Sequence, residues 1–118
     1  MSIQMVLLVG VGGFIGTILR YLASLTFGAP VSTFLVNLLG SFAIGVVLGL
    51  GAESIKPATL TIICVGVLGG FTTFSAFSAE TVQMLRNGQT SFAFIYIGLT
   101  LVFGLAATYL GLLSADLL

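Results

Sequence analysis

The sequence predicts an all-α integral membrane protein of four transmembrane helices. Three observations carry that prediction. Of 118 residues, 58% are hydrophobic, and the mean hydropathy is +1.30. Only 5% are charged, three basic and three acidic residues in all, too few to coat a water-facing surface, where soluble domains carry about a quarter. The few charges and prolines fall at intervals that cut the chain into apolar segments of membrane-crossing length.

The first span is expected over about 3–27, with Arg20 in its last third. It lacks a basic leading region and a cleavage site, so Met1 to Phe27 reads as a retained crossing rather than a signal peptide. Gly28-Ala29-Pro30 breaks the pattern, proline suiting the start of the helix that follows. A second span covers about 31–50, and Glu53, Lys56 and Pro57 mark a polar turn. The third covers about 58–85 and is closed by Arg86-Asn87-Gly88-Gln89; the fourth covers about 91–113. Short links make neighbouring helices antiparallel and leave no room for a soluble domain, so residues 1–118 form one transmembrane unit.

Lys56 is expected on one side of the membrane and Arg86 on the other, together with Arg20 if it reaches the interface. Orientation follows Lys and Arg asymmetry, and one against two is a weak bias. A chain with so little preference can insert both ways, which opens the way to an antiparallel dimer. Gly12-x-x-x-Gly16 and Gly45-x-x-x-Gly49 place small residues where helix backbones approach closely; this spacing says packed bundle and carries no chemistry. Four short helices enclose little volume, which points to an oligomer interface as the place of function.

Several function classes are excluded or disfavoured. Without histidine and with the single Cys64, which reads as a small buried apolar residue, there is neither a disulfide nor a His–Cys metal site. No nucleophile–base pair appears, so an enzyme is the least expected reading and no catalytic residue is assigned. Zero net charge without a basic cluster argues against nucleic acid.

Polar groups at membrane depth are costly and call for a partner or a role. Thr33 and Asn37 share a face of the second span; Asn37 either makes an interhelical hydrogen bond or lines an aqueous vestibule. The third span holds Gly69-Gly70-Phe71-Thr72-Thr73-Phe74-Ser75-Ala76-Phe77-Ser78-Ala79-Glu80. Glycines are poor helix formers, and threonine hydroxyls compete with the helix ladder. The expectation is a break at mid-membrane, tolerated only where protein or water satisfies the freed groups, with a plain glycine kink as the alternative. Beyond it, Phe74 and Phe77 form one stripe and Ser75 and Ser78 another. Aromatic ring edges are positive and can meet an anion; the alternative is that the rings only pack between helices. Tyr96, Thr100, Gly104 and Thr108 make a stripe of four-residue spacing on the fourth span. Arg20 and Arg86 are expected to reach an interface by snorkelling, and Glu80 either pairs with a basic residue or caps a vestibule.

Together these motifs resemble the Fluc/CrcB family of fluoride channels over the whole chain. Its carriers are Gly12-x-x-x-Gly16-x-x-x-Arg20-Tyr21, then Thr33-x-x-x-Asn37-x-x-Gly40-Ser41-Phe42-x-x-Gly45, and, most specific, Gly66-x-x-Gly69 through Glu80. The resemblance implies an antiparallel, dual-topology dimer in the cell inner membrane with two fluoride pores. It implies a structural sodium at the dimer centre, held by the carbonyls of Gly69 and Thr72 from each subunit. By the same carry-over Phe74 and Phe77 line the pore, Asn37 donates to the ion, Ser75 and Thr100 belong to a hydroxyl track with Tyr96 beside it, Arg20 sits near a pore mouth and Glu80 near the vestibule.

Three positions depart from the family pattern: Ala76 stands where threonine is frequent, Thr100 where serine is, and Phe71 where leucine is common. Some members pair two related chains; with every motif present on this one, a homodimer is expected. No phosphate-binding loop is present, so transport would be passive, exporting fluoride trapped in the cytoplasm and conferring resistance to it. The competing reading is a small four-span proton-coupled multidrug exporter. That chemistry needs a membrane-embedded carboxylate in the first span, and none occurs from Met1 to Phe27. A structural subunit, its polar residues only joining helices, is a third.

Overall fold

The computed structural model describes residues 2–51 and 53–118; Met1, at the head of the expected first span, lies outside them. Every regular element among the described residues is helical. α1 runs Ile3–Phe27 and α2 Val31–Leu50. The third crossing, Pro57–Arg86, is composite: α3 (Pro57–Thr61), a π-helical stretch (Ile62–Leu68), α4 (Gly69–Phe71) and α5 (Phe74–Arg86). α6 spans Thr90–Ser114 and ends in a 3₁₀ turn, Ala115–Leu117. Four crossings are long and apolar enough to span a bilayer, and the molecule is 48 Å in its longest dimension. The chain is a multi-pass membrane protein.

The links form where the sequence offers glycine or proline. Gly28 closes α1 at φ 71°, a left-handed backbone that costs glycine little, and its N–H bonds Ser24 O at 3.0 Å. Pro57 is the first residue of α3, where its missing N–H is of no consequence.

Two backbone-to-backbone seams hold the bundle. In the first, α1 lies against the π-helical stretch and α4. A Cβ on Gly66 would lie 2.8 Å from Val9 O, and one on Gly70 would lie 2.6 Å from Gly13 O. Gly16 is buried on Phe71 N, 2.8 Å from where its Cβ would stand. In the second, Gly45 and Gly49 of α2 meet Thr108 and Leu112 of α6, and Gly111 meets Phe42 O. The spaced glycines of the sequence therefore do what lipid-embedded helices need, close approach without a hydrophobic drive.

Little else is interior to one chain. Val36 is the only large side chain below 2% exposure among the described residues, and a small cluster of Phe77, Met84, Ala93 and Tyr96 forms the core between α5 and α6. The periphery is leucine, isoleucine, valine and phenylalanine, as hydrocarbon requires.

Candidate functional site: an interrupted crossing between two clefts

Of the glycines and threonines that together suggest a break, it is the threonines that carry it. Gly69–Phe71 are still helical, while Thr72 (φ −87°, ψ 158°) and Thr73 (φ −152°, ψ 115°) are extended. An α-helix bonds each N–H to the carbonyl four residues back, and here three such bonds are replaced. Thr73 N–H, which would reach Gly69 O, donates to Asn37 Oδ1 at 2.7 Å. Ala76 N–H, which would reach Thr72 O, donates to Thr73 Oγ1 at 3.1 Å, making Thr73 the N-cap of α5. Arg20 Nε–H donates to Gly70 O at 3.0 Å, the carbonyl that Phe74 N–H would otherwise take.

Asn37 is thus a two-point clamp. Besides accepting from Thr73 N–H, its Nδ2 donates to Thr73 O at 3.0 Å. Of the two alternatives in the sequence, the interhelical bond is present, and the second Nδ2 hydrogen remains to donate elsewhere. Arg20 corrects the snorkelling expectation. Its half-buried side chain turns inward to the break, because the interrupted ladder offers a carbonyl within reach of Nε.

Two clefts meet at the break, and Thr73 is the one residue common to both. The first, about 390 Å³, opens near the link between α1 and α2 and is lined by Arg20, Tyr21, Ser24, Thr33, Ala76 and Glu80. Glu80 pairs with no basic residue among the described residues. Its Oε2 accepts from Thr33 Oγ1 at 2.6 Å and its Oε1 from the Tyr96 hydroxyl at 2.6 Å, tying α2, α5 and α6 together. The second cleft, about 370 Å³, is lined by Asn37, Ser41, Gly69, Thr72, Thr100 and Phe74 among others. Thr100 Oγ1 is buried with no hydrogen-bond partner among the described residues.

The two phenylalanines face different surroundings. Phe77 is 8% exposed and stands edge-on to Tyr96, centroids 5.2 Å apart. Phe74 is 77% exposed in the single chain, yet its ring centroid is 5.6 Å from that of Phe77. Ser75 is exposed beside it, 3.2 Å from Thr73 Oγ1. The break therefore brings Asn37, Phe74, Phe77, Ser75, Gly69 and Thr72 together; Thr100 stands on the wall of the second cleft and Tyr96 behind Phe77.

Sequence reasoning took Thr73, with Thr72, as a competitor of the helix ladder at the break but gave it no role in the site; it is the residue that caps α5, is clamped by Asn37 and joins both clefts. Thr33 stood out only as a neighbour of Asn37, and its carboxylate partner lies 47 residues away.

Comparison with known proteins adds the kinship. The family model described as CrcB-like protein, Camphor Resistance (CrcB), matches residues 7–112. The chain belongs to the CrcB family. Among curated CrcB relatives, the "Fluoride-specific ion channel FluC" of Chlorobium chlorochromatii is 44% identical, covering 93% of this chain and 91% of its own length. That of Thermus thermophilus is 42% identical over 94% and 93%, and that of Shewanella frigidimarina 46% identical over 90% and 91%. The CrcB match takes in most of α1, all of α2, the whole interrupted crossing and most of α6.

Proposed function

We propose that this chain is a fluoride-selective channel that passively releases the ion from the cytoplasm across the inner membrane and so confers resistance to it. The observation that carries the ion's identity is near-full-length kinship, at 42–46% identity, with proteins named as fluoride-specific channels. The geometry supplies a route. Fluoride is small and tightly hydrated, so a pore must offer donors in place of water. The first cleft presents Arg20 and serine and threonine hydroxyls. Past Thr73 the ion would meet the ring edges of Phe74 and Phe77, positive by their quadrupoles. The spare Nδ2 hydrogen of Asn37, Ser75 Oγ and the unpartnered Thr100 Oγ1 offer donors along the same stretch.

The reading includes an antiparallel, dual-topology homodimer with two pores. It is supported by the open second cleft, whose polar wall and exposed Phe74 would otherwise face hydrocarbon, and by the weak charge asymmetry of the loops. It also includes a structural sodium at the dimer centre. The residues fit one: Thr73 N–H and Ala76 N–H bond elsewhere, so Gly69 O and Thr72 O are released from the helix ladder beside the open cleft. Unwound backbone carbonyls are the usual ligands of such ions at broken helices. Bound there, the cation would supply a fixed positive charge in a low-dielectric body, offsetting the desolvation of a passing anion.

Purified protein reconstituted in liposomes tests the reading. Fluoride efflux should far outpace chloride efflux. Equal rates, or no efflux of either ion, would contradict it.

A further inference from the structure

Gly40 follows Asn37 by three residues, on the same face of α2. Asn37 grips Thr73; Gly40 meets the residue before it. A Cβ on Gly40 would collide with Thr72 Cγ2, whereas the next nearest atoms, Phe71 Cδ2 and Thr72 Cβ, lie at 3.7 Å. The Thr72 methyl therefore occupies the space of the side chain that Gly40 lacks. The methyl cannot swing aside cheaply. Thr72 Oγ1 donates to Leu68 O at 2.9 Å, and Thr72 N–H donates to the same carbonyl at 3.0 Å. β-Branching restricts χ1 further, so moving Cγ2 sacrifices the hydroxyl bond.

The other close-packed glycines of α2 serve a different surface. Gly45 and Gly49 abut α6, meeting the backbone of Thr108 and Leu112. Gly40 alone of these meets the interruption in the third crossing.

We infer that Gly40 is a positioning residue that fixes the direction of the Thr72 carbonyl by seating the Thr72 methyl. The inference rests on the reading of Thr72 O as a sodium ligand, and it assigns Gly40 a role beyond helix packing. A one-carbon addition at Gly40 should push Thr72 and misdirect its carbonyl. Thr72→Ser removes the obstructing methyl while leaving the hydroxyl and the carbonyl, so it should accommodate that carbon.

The test uses purified full-length protein in detergent: the parent, Gly40→Ala, Thr72→Ser and the double variant. Thermal unfolding is followed while sodium chloride replaces N-methylglucamine chloride at constant ionic strength, sodium itself being the probe. Binding to the folded state alone raises the midpoint with ligand concentration. Gly40→Ala should need about tenfold more sodium or above for the half-maximal rise, the range for residues that orient a ligand. The double variant should return to the value of Thr72→Ser. If Gly40→Ala does not fold, a double variant that folds and binds sodium as Thr72→Ser does supports the inference. A double variant that is still unfolded, or is folded with weakened sodium binding, overturns it, as does parental sodium dependence in Gly40→Ala. A parent that shows no sodium response overturns the sodium reading itself, a result distinguishable from failure at Gly40.

Discussion

Up to Phe71 the third crossing touches α1 through backbone; beyond Thr73 it touches α2 and α6 through side chains. In the first half Gly66 and Gly70 lie against the carbonyls of Val9 and Gly13. In the second, Glu80 receives hydroxyls from Thr33 and Tyr96, and Phe77 packs on Tyr96. The difference teaches how a helix can be rigidly held and still interrupted. Steric fit fixes the position of the first half whatever its polarity, and a hydrogen-bond network fixes the second. Of the two extended residues between them, Thr73 is clamped by Asn37, while Arg20 takes the Gly70 carbonyl just before them. Volume changes should therefore damage the first half, and chemical changes the second.

The largest effect is expected from volume. Gly16→Leu would drive a side chain into Val67 O and Phe71 N, an overpacking cost of about 3 kcal/mol or more. Size-exclusion chromatography should show little or no monodisperse protein; a normal yield would break the contrast. Next comes Asn37→Ala, which leaves the half-buried Thr73 N–H without its partner and takes one donor from the Thr73 carbonyl, a loss of about 1–3 kcal/mol. The thermal midpoint should fall and fluoride efflux should drop at least about tenfold, the factor that 1.4 kcal/mol produces in a rate. Parental efflux would remove Asn37 from the site.

The phenylalanines sharpen the comparison within the second half. Phe77→Ile loses a buried ring contact and should cost about 1 kcal/mol or more of stability, together with efflux. Phe74→Ile, at an exposed position of the single chain, should cost less in folding of the protomer while still slowing efflux. Equal efflux in both variants and the parent would take the rings out of the path. The smallest effect is expected from Tyr96→Phe, which removes one of two donors to Glu80, about 0.6–1.7 kcal/mol in membrane settings. A small drop in thermal midpoint with folded protein is the expected result; a loss as large as that of Asn37→Ala would show Glu80 to be the main fastening.

The fold was readable because hydrocarbon imposes its own pattern: apolar stretches punctuated by Gly28, Pro57 and Gly88 give four helices of membrane-crossing length, the last running on to Leu117, past the expected end near 113. The interruption was readable as chemistry but not to the residue. Gly69 and Gly70 weaken a helix, yet they remain helical, Gly70 being pressed against Gly13 O. The extended pair follows where Asn37, 36 residues earlier, captures the Thr73 amide. The π-helical turns at Ile62–Leu68 carry no compositional mark, since their sequence is as apolar as any ordinary span. The inward bond of Arg20 was missed for a related reason: snorkelling is the default for a lone cation, and only the broken ladder supplies an inward carbonyl. Glu80 was seen, but its two hydroxyl partners are joined to it by tertiary packing alone.

The proposed channel requires a wet passage from the cleft of Arg20 and Glu80, past Thr73, along Phe74 and Phe77. A high-resolution map of the protein in lipid with sodium fluoride tests this most directly. It should show ordered density for water or ion against the edges of both rings, and Phe74 enclosed by a second copy of the chain. Phe74 turned into acyl chains, with dry packing on either side of Thr73, would contradict the account.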